Sequence, residues 1–260
     1  MKPYFLLSTI LAGALFQPLA FAQTQLVVST SAEQAPLFQL SYPTPIRVQQ
    51  AVQEGIVQLP NYNPAKTKPQ PIYWLGAALW DMQDTQELET KRKEILDSLS
   101  QMQSDSTESE YVHKLGQFSE YIRQLKLGKR IMQPLDIDLI RINEALNPLI
   151  EGQYQLILPP RPNTITVLGA VNGISQQPWQ VTTKSQDYLD KVNLLDNAEN
   201  SYVWLIQPNG EAIKQPIAYW NHRAQDIAPG ALLYVEFSSP FNGFATLNDN
   251  IVELLKNRAL

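Results

Sequence analysis

Three prolines within four residues, at positions 159, 160 and 162, divide the chain into two stretches of similar predicted organisation. Proline lacks a backbone N–H and fixes φ, so a helix or a central strand does not continue through such a cluster. Within about eighty residues the second stretch predicts strand, strand, helix, strand, strand, strand, and the first stretch opens in the same order. The sequence therefore predicts an α+β protein of two consecutive units related by a degenerate internal duplication.

The first predicted unit covers residues 23–160 and combines short strands with one helix. The helix is predicted over 45–54, because Pro45 suits its first position and Gly55 lies just past its end. Alternating or continuously apolar runs indicate the strands. These runs cover residues 26–28, 36–40, 72–80, 134–142 and 153–158.

A helical insertion is predicted inside this unit at about residues 82–128. Apolar residues recur at helical spacing over 85–102 and again up to Leu127, and the polar residues 104–108 separate the two runs. Two antiparallel helices joined by a polar turn form a helical hairpin. Because the flanking segments predict strands, the hairpin interrupts the first unit.

The second predicted unit covers residues 161–245 and again combines strands with one short helix. Ser185 is placed to cap that helix, which is predicted to run to Val192. The strands are predicted at 164–171, 179–181, 202–206, 217–221 and 231–237.

Residues 246–260 predict a short amphipathic helix whose apolar stripe is Ile251, Leu254 and Leu255. At about 1.5 Å per residue it reaches about 21 Å, so it is too short to span a hydrocarbon core of roughly 30 Å alone. Two roles stay open. The stripe either docks on the helix's own domain or binds a partner protein through these three residues.

Residues 1–22 predict a cleavable secretory signal peptide. Lys2 gives a positive amino end, an apolar run extends over 5–16, and residues 20–22 form an A-x-A cleavage site. The run has about a dozen apolar residues, too few for a membrane span. The chain has no cysteine, so a lipid anchor and a disulfide are both excluded. We therefore expect export to the periplasm or an equivalent compartment.

The composition offers little for catalysis or for cofactor binding. Besides the lack of cysteine, the two histidines lack ligand spacing, and there is no nucleophile elbow or P-loop. The formal net charge is -5 and no window is a dense basic block, which argues against a nucleic-acid partner. We expect no cofactor, no metal and no nucleic acid.

One close carboxylate pair lies on a predicted strand. Asp136 and Asp138 are two residues apart within 134–142, so on a strand they would share a face. Paired carboxylates can hydrolyse a glycosidic bond. Surface pairs are far more common than catalytic ones, but the pair leaves a glycan-modifying enzyme as an alternative.

Arginine and aromatic side chains are the other candidates for a binding site. Arg141 is either a ligand-binding residue or the partner of an internal ion pair with Asp136 or Asp138. Aromatic rings stack on sugars, and guanidinium groups bind acidic sugars by bidentate hydrogen bonds. The candidate ligand-binding residues are Arg141, Asp136, Asp138, Arg161 and Trp220.

Six segments carry a resemblance to a known family: 135–141, 161–164, 167–171, 219–221, 229–231 and the tail over 247–258. Together they resemble the capsule biosynthesis GfcC family over nearly all of the mature chain. The resemblance implies two β-grasp domains, a helical insert, a C-terminal amphipathic helix and similarity to the β-grasp domains of the polysaccharide exporter Wza. It also implies a protein without enzymatic activity and with an arginine in a pocket, for which Arg141 is our candidate.

The leading hypothesis is a non-enzymatic periplasmic accessory of capsule or exopolysaccharide assembly and export. It would bind a polysaccharide or the outer-membrane export machinery through two half-open sheets. The alternatives are a glycan-modifying enzyme that uses Asp136 or Asp138, and a structural adaptor without a ligand. Pore formation is not expected, because the chain lacks a lipidation cysteine and room for the exporter's first domain. The oligomeric state is left open.

Overall fold

The computed structural model describes residues 24–62, 71–217, 225–238, 244 and 246–260. These residues form a mixed α+β fold with two five-stranded sheets, a two-stranded pair and six α-helices. The predicted signal peptide, Trp220 and most of the strand predicted at 217–221 lie outside the described residues. None of the described helices combines the length and apolar character needed to cross a membrane.

The first sheet uses strands from both sides of the predicted insertion. Its strands are β1 (Thr24–Ser29), β2 (Phe38–Tyr42), β4 (Ala78–Asp81), β5 (Lys129–Arg130) and β7 (Gln153–Ile157). The short strands β3 (Ile46–Arg47) and β6 (Leu149–Ile150) pair with each other outside this sheet. The helices of this part are α1 (Val48–Tyr62), α2 (Gln86–Asp105), α3 (Ser109–Gln124) and α4 (Ile137–Ile142).

The second sheet begins after the proline cluster. Its strands are β8 (Thr164–Gly169), β9 (Ser175–Pro178), β10 (Tyr202–Ile206), β11 (Ala212–Pro216) and β12 (Leu232–Val235). Two helices follow in this part, α5 (Ser185–Leu189) and α6 (Leu247–Lys256).

Both sheets have the same topology. Their strand orders are β2-β1-β7-β4-β5 and β9-β8-β12-β10-β11. In each, the first strand pairs antiparallel with the second and parallel with the last. This shared order supports the predicted internal repeat.

Helix α1 covers the inner face of the first sheet, and it differs from the predicted helix at both ends. It begins after β3, and it continues through Gly55 instead of ending there. A Cβ at Gly55 would lie 2.7 Å from Cδ2 of Leu156 in β7. The lack of a side chain at Gly55 therefore allows the helix and the sheet to pack closely, and this glycine does not cap the helix.

The strand predicted over 134–142 is wrong, because these residues form helix α4. Asp136 is its N-cap, and a carboxylate oxygen accepts the backbone N–H of Asp138 at 2.9 Å. Ile140 is buried and Ile137 partly buried, a spacing of three residues that suits a helix. The strand predicted over 72–80 is also shorter, since a 3-10 turn at Trp74–Gly76 precedes β4.

The predicted hairpin is present as α2 and α3, but its apolar face packs on the second sheet. Phe118 stacks on Tyr234 of β12 at 6.4 Å between ring centroids, and Leu115 and Ile122 are fully buried in the same core. Helix α5 covers the other face of that sheet, where the Ser185 hydroxyl donates to Gln215 at 2.7 Å. The second sheet is therefore covered on both faces, and the expectation of a half-open sheet is wrong there.

Helix α6 docks on its own chain beside α2 and β10. Ile251, Leu254 and Leu255 are at most 1 % exposed, and their burial contributes to the same core as the hairpin. Asn248 at the start of α6 accepts the Tyr234 hydroxyl at 2.6 Å. Of the two roles left open, the structure therefore has the docked one, and these three apolar residues do not form an accessible partner-binding face in it.

Candidate functional site

A cleft of about 800 Å³ lies where the two parts of the chain meet. Its walls come from six places: the loop after β1, the end of α3, the proline cluster, strands β8 and β9, the turn before β12, and the carboxyl-terminal residues. Such junctions between units are common places for ligand sites. We call this site the junction cleft.

Uncharged hydrogen-bonding groups dominate the polar part of the junction cleft. Hydroxyl groups come from Thr30, Ser31, Thr164 and Thr166, and carboxamides come from Gln34, Gln124 and Gln176. Hydroxyls and amides both donate and accept hydrogen bonds, as sugar hydroxyls do. The lining therefore suits a polyhydroxylated ligand.

Among the residues that the structure describes, one cation, Arg258, lines the cleft. Its Nη2 donates to the Gly230 carbonyl at 2.7 Å, and no described carboxylate lies within ion-pair distance of it. Burial lowers the pKa of Arg258, while Tyr121 and Glu33 act in the opposite direction. Burial also raises the pKa of Tyr121. The cleft thus holds one guanidinium that is not neutralised by a close ion pair.

Arg130 fixes the segment that carries Arg258. This buried side chain donates from Nη1 to the Arg258 carbonyl at 2.8 Å and from Nη2 to the Ala77 carbonyl at 2.9 Å. Its backbone N–H donates to Asn257 Oδ1 at 2.9 Å. Two of these three hydrogen bonds reach the end of the chain, and the one to Ala77 anchors the Arg130 side chain beside the first sheet.

Arg161 lies in the linker beside the junction cleft, between two of the prolines that line it. Its guanidinium carbon is 5.8 Å from the ring centre of Tyr73 and 5.1 Å from that of Trp179. The Trp179 indole N–H donates to the Ile227 carbonyl at 2.7 Å. Arg161 thus joins an aromatic ring from each part of the chain by cation–π contacts.

The other predicted site residues lie elsewhere. Arg141 and Asp138 form an exposed ion pair of 3.5 Å on α4, so their pairing is not internal. Asp136 lines a second cleft of about 680 Å³ with Trp74 and Leu139, and Arg141 lines neither cleft. Trp220 lies outside the described residues. The structure therefore does not bring the five predicted residues into one site.

Sequence reasoning missed Arg258 and Tyr121. Neither residue is among the candidate ligand-binding residues, although Arg258 lies in the predicted carboxyl-terminal helix and Tyr121 in the second helix of the predicted hairpin. The one available signal was an arginine directly before the apolar residues Ala259 and Leu260.

The lining of the junction cleft contains one acidic side chain among the described residues, that of Glu33. Glycoside hydrolysis by the usual mechanism needs two. Within the described ranges, no group of three or more histidine and acidic side chains could hold a metal ion. The arrangement is chemically suited to binding by hydrogen bonds and one charge.

Two family models match the chain in consecutive stretches. The model of the capsule biosynthesis GfcC N-terminal region matches residues 27–161, and that of the C-terminal region matches residues 173–259. A relative from Escherichia coli K12, the uncharacterized protein YjbG, is 31% identical over 163 residues. That alignment covers 63% of this chain and 66% of the relative, just under two thirds of its length. Since the two models together span most of the chain, this protein belongs to the capsule biosynthesis GfcC family.

Proposed function

We propose that this protein is a non-enzymatic accessory of capsule or exopolysaccharide assembly and export that binds a glycan in the junction cleft. The observation that carries the proposal is the cleft lining, in which hydroxyls and carboxamides of the described residues accompany the guanidinium of Arg258. Membership of a capsule biosynthesis family supplies the biological context. The proposal places the mature protein in the periplasm after signal-peptide cleavage, with the outer-membrane export machinery as its partner.

We further infer that the two units are β-grasp domains. Each sheet carries its first and last strands side by side and parallel at the centre, with the remaining strands outside them. In each unit a helix lies between the first hairpin and the later strands. This arrangement supports a duplicated β-grasp architecture.

Binding is favoured over catalysis by the positions of the acidic residues. Asp136 is engaged as a helix N-cap, and the Asp138 side chain is 90% exposed beside Arg141. Neither lines the junction cleft. The enzyme alternative is therefore kept only as an outcome of the test below.

The proposal is tested by titrating the mature protein with oligosaccharides released from the host's own exopolysaccharide. Gln176 is exposed in the cleft, so Gln176→Ala should remove hydrogen bonds without unfolding the protein and weaken binding roughly fivefold. Arg258→Gln should weaken the binding of acidic fragments further, because it removes the charge. The matched control is Gln101→Ala on the exposed side of α2, which should bind like the wild type.

Two results would count against this function. The first is the absence of binding to every fragment, or binding that the cleft substitutions leave unchanged. The second is turnover of the oligosaccharides by the wild type that disappears in Asp136→Asn, which would favour the glycan-modifying enzyme.

A further inference from the structure

The outer face of the first sheet carries no charged side chain on three adjacent strands. Strands β1, β2 and β7 have the sequences TQLVVS, FQLSY and QYQLI. Their alternate residues point away from α1, and the strand register sets them side by side. The outward set is Gln25, Val27, Gln39, Ser41, Gln153 and Gln155, which we call the amide face.

The amide face is open to solvent. Gln39, Ser41 and Gln153 are exposed, and Gln25, Val27 and Gln155 are partly buried. The rest of the same sheet face is covered, because Ala78, Trp80 and Ile157 pack against Ala259 near the carboxyl end. The covered and open parts together account for the outer side of the sheet.

An uncharged open face is unusual for this chain. The sequence has 20 basic and 25 acidic residues, and solvent-exposed protein surfaces generally carry charges of both signs. Here the exposed positions are carboxamides and a hydroxyl, which remain hydrogen-bonding groups at every pH near neutrality. Their chemistry matches a ligand that is itself uncharged and rich in hydroxyl groups.

The amide face continues towards the junction cleft. Gln25 and Val27 lie on β1, and the same strand runs on into Thr30 and Ser31 of the cleft lining. The outward residue between Val27 and Thr30 is Ser29, which is fully buried, so the open part of β1 extends about 7 Å from Gln25 to Val27, and three strands side by side span about 10 Å. An open patch of this size lies on the strand that leads into the cleft lining.

We propose that the amide face binds an extended, uncharged stretch of a polysaccharide chain whose end or side group occupies the junction cleft. This inference rests on the proposed glycan-binding function and adds the class of ligand and a second binding surface. The lack of charged side chains on the amide face favours an uncharged ligand. The amide face offers no cation to an anionic chain, and the net charge of -5 disfavours the binding of such a chain. A neutral polyol can form hydrogen bonds with the donors and acceptors of this face.

The test compares short and long oligosaccharides from the host's exopolysaccharide, one repeating unit against several. The wild type should bind the long fraction more tightly. The double variant Gln39→Ala/Gln153→Ala should lose about tenfold in affinity for the long fraction and keep its affinity for the short one. The control Gln101→Ala/Gln117→Ala removes two exposed glutamines from the hairpin and should change neither affinity.

The outcomes separate the two proposals. If the short fraction binds but the long fraction gains nothing from Gln39 and Gln153, the amide face is not a glycan surface, although the junction cleft stands. If the affinity for the long fraction depends on Gln39 and Gln153 while the cleft variants bind normally, only the assignment of the junction cleft is wrong. If no fraction binds the wild type, both proposals are overturned. Near-ultraviolet circular dichroism of each variant confirms that its fold is unchanged.

Discussion

Two arginines, Arg130 on β5 and Arg258 near the carboxyl end, donate to backbone carbonyls instead of carboxylates. Burial, with a smaller effect of Arg258, lowers the pKa of Arg130 to about 10, which leaves it charged at neutral pH. A buried charge is tolerated only when its hydrogen-bonding groups are satisfied. Arg130 therefore depends on the carbonyl groups of Ala77 and Arg258, and these depend on Arg130 in turn.

We predict that Arg130→Met lowers the free energy of unfolding by about 3 kcal/mol, because two charge-assisted hydrogen bonds are lost and two carbonyls are left without this donor. Urea denaturation of the mature protein measures the change. The control is Arg123→Met, since Arg123 forms an exposed ion pair with Glu120 on α3 and should cost no more than about 0.5 kcal/mol. Equal effects of the two substitutions would contradict the structural role of Arg130.

At the scale of elements, two helical glycines have opposite surroundings. Gly55 in α1 faces the fully buried Leu156, whose Cδ2 would lie 2.7 Å from an added Cβ. Gly116 in α3 faces only the amide nitrogen of Gln103, at 3.3 Å. The first helix packs closely on a sheet, whereas the second has a flexible side chain as its neighbour at this position.

The same substitution should therefore have opposite effects at the two positions. Gly55→Ala should destabilise the protein by about 1–3 kcal/mol through overpacking, despite the better helix propensity of alanine. Gly116→Ala should stabilise it by up to about 1 kcal/mol, because alanine has less backbone entropy to lose. Thermal and urea unfolding of both variants provide the comparison, and a stabilised Gly55→Ala protein would disprove the close helix–sheet contact.

At the scale of the whole molecule, the hairpin links the two parts of the chain. It is inserted between β4 and β5 of the first sheet, yet its core residues pack on the second sheet together with α6. Polar contacts also join the hairpin to the second part of the chain. Asn197 donates to the Tyr111 hydroxyl of α3 at 2.8 Å, and Asn250 of α6 donates to Glu94 of α2 at 2.9 Å. The second sheet therefore needs residues from the first part of the chain to bury its apolar face.

We predict that a fragment of residues 161–260 does not fold stably alone. Without the hairpin, Tyr234 and Phe237 lose the ring of Phe118 and become exposed to water. The fragment should bind a hydrophobic dye and show a weak near-ultraviolet circular dichroism signal. Addition of a peptide covering residues 82–128 should restore part of that signal. A fragment that unfolds cooperatively at the full-length midpoint would contradict this dependence.

Local patterns explain why much of the fold could be predicted. Strands β1, β2, β7, β8, β10 and β12 and both hairpin helices lie close to their predicted positions, because alternation and helical spacing record which side of an element is buried. The pattern failed at α4, where Leu139 and Ile140 interrupt the alternation and Asp136 caps a helix. It also failed at Gly55, because a glycine required for close packing resembles a helix end.

The candidate site was much less predictable, because its residues are far apart in the chain. The sequence by itself determined the α+β class, the hairpin and the apolar stripe of α6, since each depends on neighbouring residues. Only the tertiary structure decided that the hairpin and α6 cover the second sheet and that Arg258 meets Thr30 and Gln176 in one cleft. A periodic pattern shows that a face must be buried, whereas the partner that buries it is selected by packing between distant segments.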